Sequence, residues 1–68
     1  TKEEAILKVK TLPEVIDYLK TVPGGLVLVN GEENNSYMVQ VYEIKDGHTA
    51  TFNWYKVNKT TGEVKKEF

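Results

Sequence analysis

The single histidine of this 68-residue chain, His48, stands two positions after Asp46 in Lys45-Asp46-Gly47-His48. An imidazole beside a carboxylate supplies two parts of a hydrolytic site, a base and the group that orients it. The nucleophile is missing. The chain has no cysteine, and Ser36 is expected to pair far down the same hairpin, out of reach of His48. Glu32, Glu33, Asn34 and Asn35 offer four oxygen-bearing side chains in a row, but without the ligand spacing of a calcium loop they read as a solvated loop. One histidine and no cysteine argue against structural zinc. Pro23-Gly24-Gly25 precedes a strand-like run rather than a helix start, so it is not a phosphate-binding loop. Asn34-Asn35-Ser36 and Asn58-Lys59-Thr60 match the glycosylation acceptor pattern, yet both lie where turns favour Asn and Thr. These residue types predict a protein that is not an enzyme and uses no cofactor or metal.

Composition narrows the partners. Nine lysines stand against ten acids, with no arginine and a net charge of −1. Nucleic-acid binding draws on a basic surplus and on arginines that read guanine, and the chain has neither. The longest apolar run, Leu26-Val27-Leu28-Val29, falls far short of the ~20 residues of a membrane span. Thr1 is not an initiator residue, so a trimmed piece or mature product is expected.

The positioning elements follow from local signals. Thr1-Lys2-Glu3-Glu4 has the form of a capping box, and so has Thr11-Leu12-Pro13-Glu14. Leu12, Val15, Ile16, Leu19 and Val22 recur at helical spacing. Pro13 inside a continuous helix costs ~3 kcal/mol, so the spacing predicts two helices, 2–10 and 12–22, or one bent helix. Pro23-Gly24-Gly25 ends the helical region. Strands are expected at 26–29, 36–45, 48–58 and 63–67, with 30–35 a loop and Asp46-Gly47 a two-residue hairpin turn. Helices followed by an antiparallel meander describe an α+β fold, with the helices packed on a four-stranded sheet.

The turn at Asp46-Gly47 sets a register in which Lys45 faces His48, Val41 faces Phe52 and Val39 faces Trp54. One face then carries Tyr37, Val39, Val41, Ala50, Phe52 and Trp54, and is expected to be the core under the helices. The opposite face carries Met38, Tyr42, Ile44, Tyr55 and Val57, with Gln40, Thr49, Thr51 and Asn53 between them. Val64, if it pairs with Val57, joins that second face. A register slip of one residue exchanges the two faces. Because helices cover one side only, Met38, Tyr42, Ile44 and Tyr55 form the expected contact surface.

Tyr37-Met38-Val39-Gln40-Val41-Tyr42 and Trp54-Tyr55-Lys56-Val57-Asn58-Lys59-Thr60-Thr61-Gly62-Glu63-Val64 resemble the PepSY-like domains of bacterial secreted proteins and lipoproteins. In those, a helix opening in Glu-Glu-Ala, matched here by Glu3-Glu4-Ala5, precedes strands ending in a Thr-Gly-x-Val turn. Pro13, which splits the helical region, and the lack of a strand before the first helix depart from that pattern. The resemblance implies a non-catalytic module at the bacterial envelope or outside the cell, of a kind associated with binding or restraining peptidases. It carries over no ligand residues.

The sequence therefore predicts a protein-binding or regulatory module that works through its open sheet face. Its partner is another protein, the parent chain, or a second copy in a weak homodimer. Two rivals remain: an assembly domain that docks on its parent chain or dimerises, and an inhibitor presenting Glu32–Ser36 to a peptidase.

Overall fold

A computed structural model describes residues 1–68 as an α+β fold of two helices and a four-stranded antiparallel sheet. Helix α1 (Lys2–Lys10) starts on the expected capping box, in which the Glu4 amide donates to Thr1 Oγ1 at 3.2 Å. Glu3 and Glu4 in its first turn and Lys8 and Lys10 in its last complement the helix dipole. Thr11, expected to open the second helix, instead closes the first: its hydroxyl donates to the Lys8 carbonyl at 2.7 Å. Helix α2 (Pro13–Thr21) has Leu12 as its N-cap, with no side-chain capping bond. Proline forces the residue before it into extended backbone, so Leu12 with φ −68° and ψ 136° takes the cap position. Pro13 sits in the first turn, where its missing N–H costs little.

The sheet has the order β1-β2-β3-β4, with β1 Leu26–Glu33, β2 Ser36–Lys45, β3 His48–Asn58 and β4 Val64–Lys66. The first hairpin differs from expectation. Asn30-Gly31 is a bulge within β1, where Gly31 takes φ 145°, and the strand continues to Glu33. The turn is Asn34-Asn35, with φ 46° and 60°. Asparagine is among the few residues that enter this left-handed region readily, and two such residues match the twist of the strands they join. Asp46-Gly47 turns in the same way, with φ 52° and 76°. The β3–β4 turn is held by Asn58, whose Oδ1 accepts from the Thr60 and Thr61 amides at 2.8 and 2.9 Å.

A second bulge decides which face is the core. From the Asp46-Gly47 turn the register runs as expected, Lys45 against His48 through to Tyr42 against Thr51. Val41 then faces Asn53, leaving Phe52 as the extra residue, and Val39 faces Tyr55 while Gln40 faces Trp54. Phe52 and Tyr55 are three apart, so a regular strand sends them to opposite faces. The bulge places both on the helix side. Phe52 stacks on Tyr18 of α2 with ring centroids 4.6 Å apart, and Tyr55 enters the layer beneath the helices.

That layer joins Ala5, Val9 and Val15 of the helices to Val27, Val39, Val41, Tyr55 and Val57 of the sheet. Each buried valine contributes roughly 1.5–3 kcal/mol by burial. Trp54, expected in the core, lies on the other face and is half-buried. Val57 moves into the core with Tyr55, and its cross-strand partner Val64 packs against that core rather than on the open face.

Candidate functional site: the open sheet face

The face away from the helices is built from the positions that alternate with the buried valines. They are Leu26 and Leu28 of β1, Met38, Gln40, Tyr42 and Ile44 of β2, and Thr49, Thr51, Trp54 and Lys56 of β3. Its centre is polar and closed. Gln40 is only 8% exposed, accepting from Asn30 Nδ2 at 2.8 Å and donating to Thr51 Oγ1 at 2.8 Å. A buried amide costs little when its bonds are made, so this chain of three polar side chains crosses three strands as a fixed ribbon.

Apolar groups flank the ribbon on both sides. Toward the Asp46-Gly47 turn lie Leu26, half-buried Tyr42 and Ile44, the last 63% exposed, with Leu28 beside Gln40. Toward the other end, Met38, Trp54 and exposed Phe68 line a shallow hollow of about 500 Å³ with charged rims at Glu33, Lys56 and Glu67. Lys56 and Glu67 pair across that rim at 3.4 Å. Aromatic and aliphatic groups in a polar frame are what protein-contact surfaces are made of.

Of the four residues expected here, Met38, Tyr42 and Ile44 lie on this face. Tyr55 does not. It is 1% exposed in the core, and its hydroxyl donates to Glu14 Oε2 at 3.3 Å. The bulge at Phe52 is the reason, since it shifts every later β3 residue by one. Trp54 occupies the place expected for Tyr55, Leu26 and Leu28 extend the face onto β1, and Asn53 leaves it. Nothing in Thr51-Phe52-Asn53 marks a bulge: there is no glycine there, and the alternation fits either register.

The remaining chemistry-bearing residues stay apart. His48 is exposed at the hairpin tip opposite Lys45, while Ser36 pairs with Asn58 at the far end of the same strands. No three His, Asp or Glu side chains converge on a common point. Glu32 is paired with Lys59, whose ammonium also lies 4.9 Å from the centre of the Tyr37 ring. Their mutual hydrogen bond holds the Glu32 carboxyl below its ordinary range and raises Lys59. The segment Glu32–Ser36, a candidate inhibitory loop, is therefore a tight hairpin end tied to the β3–β4 turn. A cavity of about 240 Å³ lies between α1 and that turn, with Lys8 Nζ donating across it to the Gly62 carbonyl at 2.9 Å.

Over 94% of its length the chain is similar to Uncharacterized protein slr0272 of Synechocystis sp. (strain ATCC 27184 / PCC 6803 / Kazusa), with 33% identity across 75 aligned positions. The chain spans 23% of that relative's length. No family model matches the chain, and no solved structure matches it. No helix is long and apolar enough to cross a membrane.

Proposed function

We propose that the chain is a non-enzymatic protein-binding module that contacts its partner through the open sheet face, centred on Tyr42 with Met38, Ile44 and Trp54. One observation carries this reading. The helices cover one side of the sheet, while the other leaves Leu26, Leu28 and Ile44 partly in water around a hydrogen-bonded polar centre at Gln40. Apolar side chains gathered on the uncovered side of a sheet are the kind of surface a second surface covers. The resemblance of Trp54–Val64 to PepSY-like domains supports placing the module at a bacterial envelope or outside the cell, with a peptidase or an envelope protein as its partner. A second reading is that the face docks on another part of a longer chain. It is favoured by the Synechocystis relative, in which the matched stretch is under a quarter of the length.

Photo-crosslinking in the source cell tests the proposal. A photoreactive phenylalanine analogue at position 42 is expected to give a discrete crosslinked product that is absent when the analogue replaces Leu7, which is 61% exposed on α1. Equal labelling from both positions, or none from position 42, would sink the sheet-face reading. A product of unchanged chain mass in a longer natural protein assigns the contact to the parent chain.

A further inference from the structure

The two edges of the sheet are built in opposite ways. β4 is three residues long and carries Lys65 and Lys66, a short charged edge that resists further pairing. β1 is eight residues long and ends in Glu32-Glu33, but from Leu26 to Gly31 it holds no charged side chain. Before the Asn30-Gly31 bulge, its outer edge runs along Leu26-Val27-Leu28-Val29 with no lysine, proline or inward charge to blunt it. Such an edge is a template for another strand.

We infer that β1 pairs antiparallel with β1 of a second copy, joining two four-stranded sheets into one of eight strands about a two-fold axis. The occupant follows from charge and alternation. A strand that pairs with itself brings like residues together, and like charges directly opposite are unfavourable. β4 would set lysine near lysine, whereas the Leu26–Asn30 stretch of β1 meets itself without any charge. A two-fold register centred on Leu28 sets Leu28 against Leu28 of the second copy and Val27 against its Val29. Faces are preserved: valines on the helix side extend the core layer, and leucines on the open side extend the apolar surface. This contact uses the backbone edge and is separate from the partner contact at Tyr42 and Trp54.

The test is sedimentation equilibrium of the purified chain from about 1 μM to about 1 mM, a range that covers dissociation free energies near 4 to 8 kcal/mol. Leu28, 43% exposed, tolerates a charge in the folded monomer, and circular dichroism checks that each variant keeps its fold. Leu28→Lys and Leu28→Glu are each expected to weaken self-association at least about tenfold. Mixing the two restores it, because opposite charges then meet at the axis. Ile44→Lys, on the open face but away from the edge, leaves it unchanged. A chain monomeric throughout that range overturns the inference. So does a dimer lost on Ile44→Lys but kept in both Leu28 variants, which would assign self-association to the open face.

Discussion

Tyr55 shows how much one side chain contributes in so small a core. Its ring fills the layer between both helices and the sheet, and its hydroxyl reaches Glu14. Ionising it would place a phenolate in a dry site beside a carboxylate. Burial first, and the Glu14 charge and hydrogen bond after it, push the Tyr55 pKa up to about 12. An unfolded tyrosine loses its proton near pH 10. The stability that Tyr55 adds is therefore complete below pH ~10 and is lost as the pH rises through ~12. Urea unfolding measured at pH 9 and pH 12 should show the parent losing on the order of 2 kcal/mol more than Tyr55→Phe over that interval. Tyr18, also raised by burial, is common to both chains and cancels. Parallel losses in the two proteins would mean that the hydroxyl is not held in this site. At the residue scale the sequence was a partial guide. It placed Met38, Tyr42 and Ile44 on the open face, because they lie on β2, where the bulge adds no residue and the alternation is unbroken. It misplaced Trp54, Tyr55 and Val57 together, because all three follow it.

Elements were legible wherever a local signal decides them. The Thr1 capping box, the break at Pro13 and the Asp46-Gly47 turn act through neighbours a few residues away, and the fold uses all three. The end of β1 was less legible, since Asn30-Gly31 and Asn34-Asn35 are competing turn signals. Pairing of Glu32 with Tyr37 and Glu33 with Ser36 resolves the competition in favour of the second. The β3 bulge was not legible at all, because its advantage is tertiary: it lets Phe52 meet Tyr18 while Tyr55 fills the core. Because Phe52 is the extra residue, its deletion is harmless to register. Removing Phe52 joins Thr51 to Asn53, so Tyr42 still faces Thr51, Val41 still faces Asn53 and Val39 still faces Tyr55. Deletion should cost roughly 1–3 kcal/mol, from the lost stack and partial burial. Cross-strand nuclear Overhauser contacts between Val39 and Tyr55 should survive it. Their replacement by contacts between Val39 and Trp54 would show that the register is set by something other than the bulge.

For the whole molecule, the governing fact is that a one-sided layer of helices gives the sheet two unlike surfaces. Eight buried apolar side chains form the core on one side. The other side keeps a hydrogen-bonded polar ribbon at Gln40 and lets its apolar groups meet water, and one edge strand is uncharged from Leu26 to Gly31 where the other carries Lys65 and Lys66. The two contacts inferred from these features are geometrically distinct, and Trp54 separates them. It stands on β3 of the open face, two strands away from the β1 edge. Edge pairing of two copies should leave Trp54 emission and its quenching by acrylamide constant from dilute to concentrated solution, even as the mass doubles. A partner seated on the open face should shift the emission to the blue and protect it from quenching. Protection that rises with concentration of the chain alone would mean that copies meet through the face rather than the edge. In that case Leu26, Leu28 and Ile44 would be buried by self-association, and the face would no longer be free for a different protein.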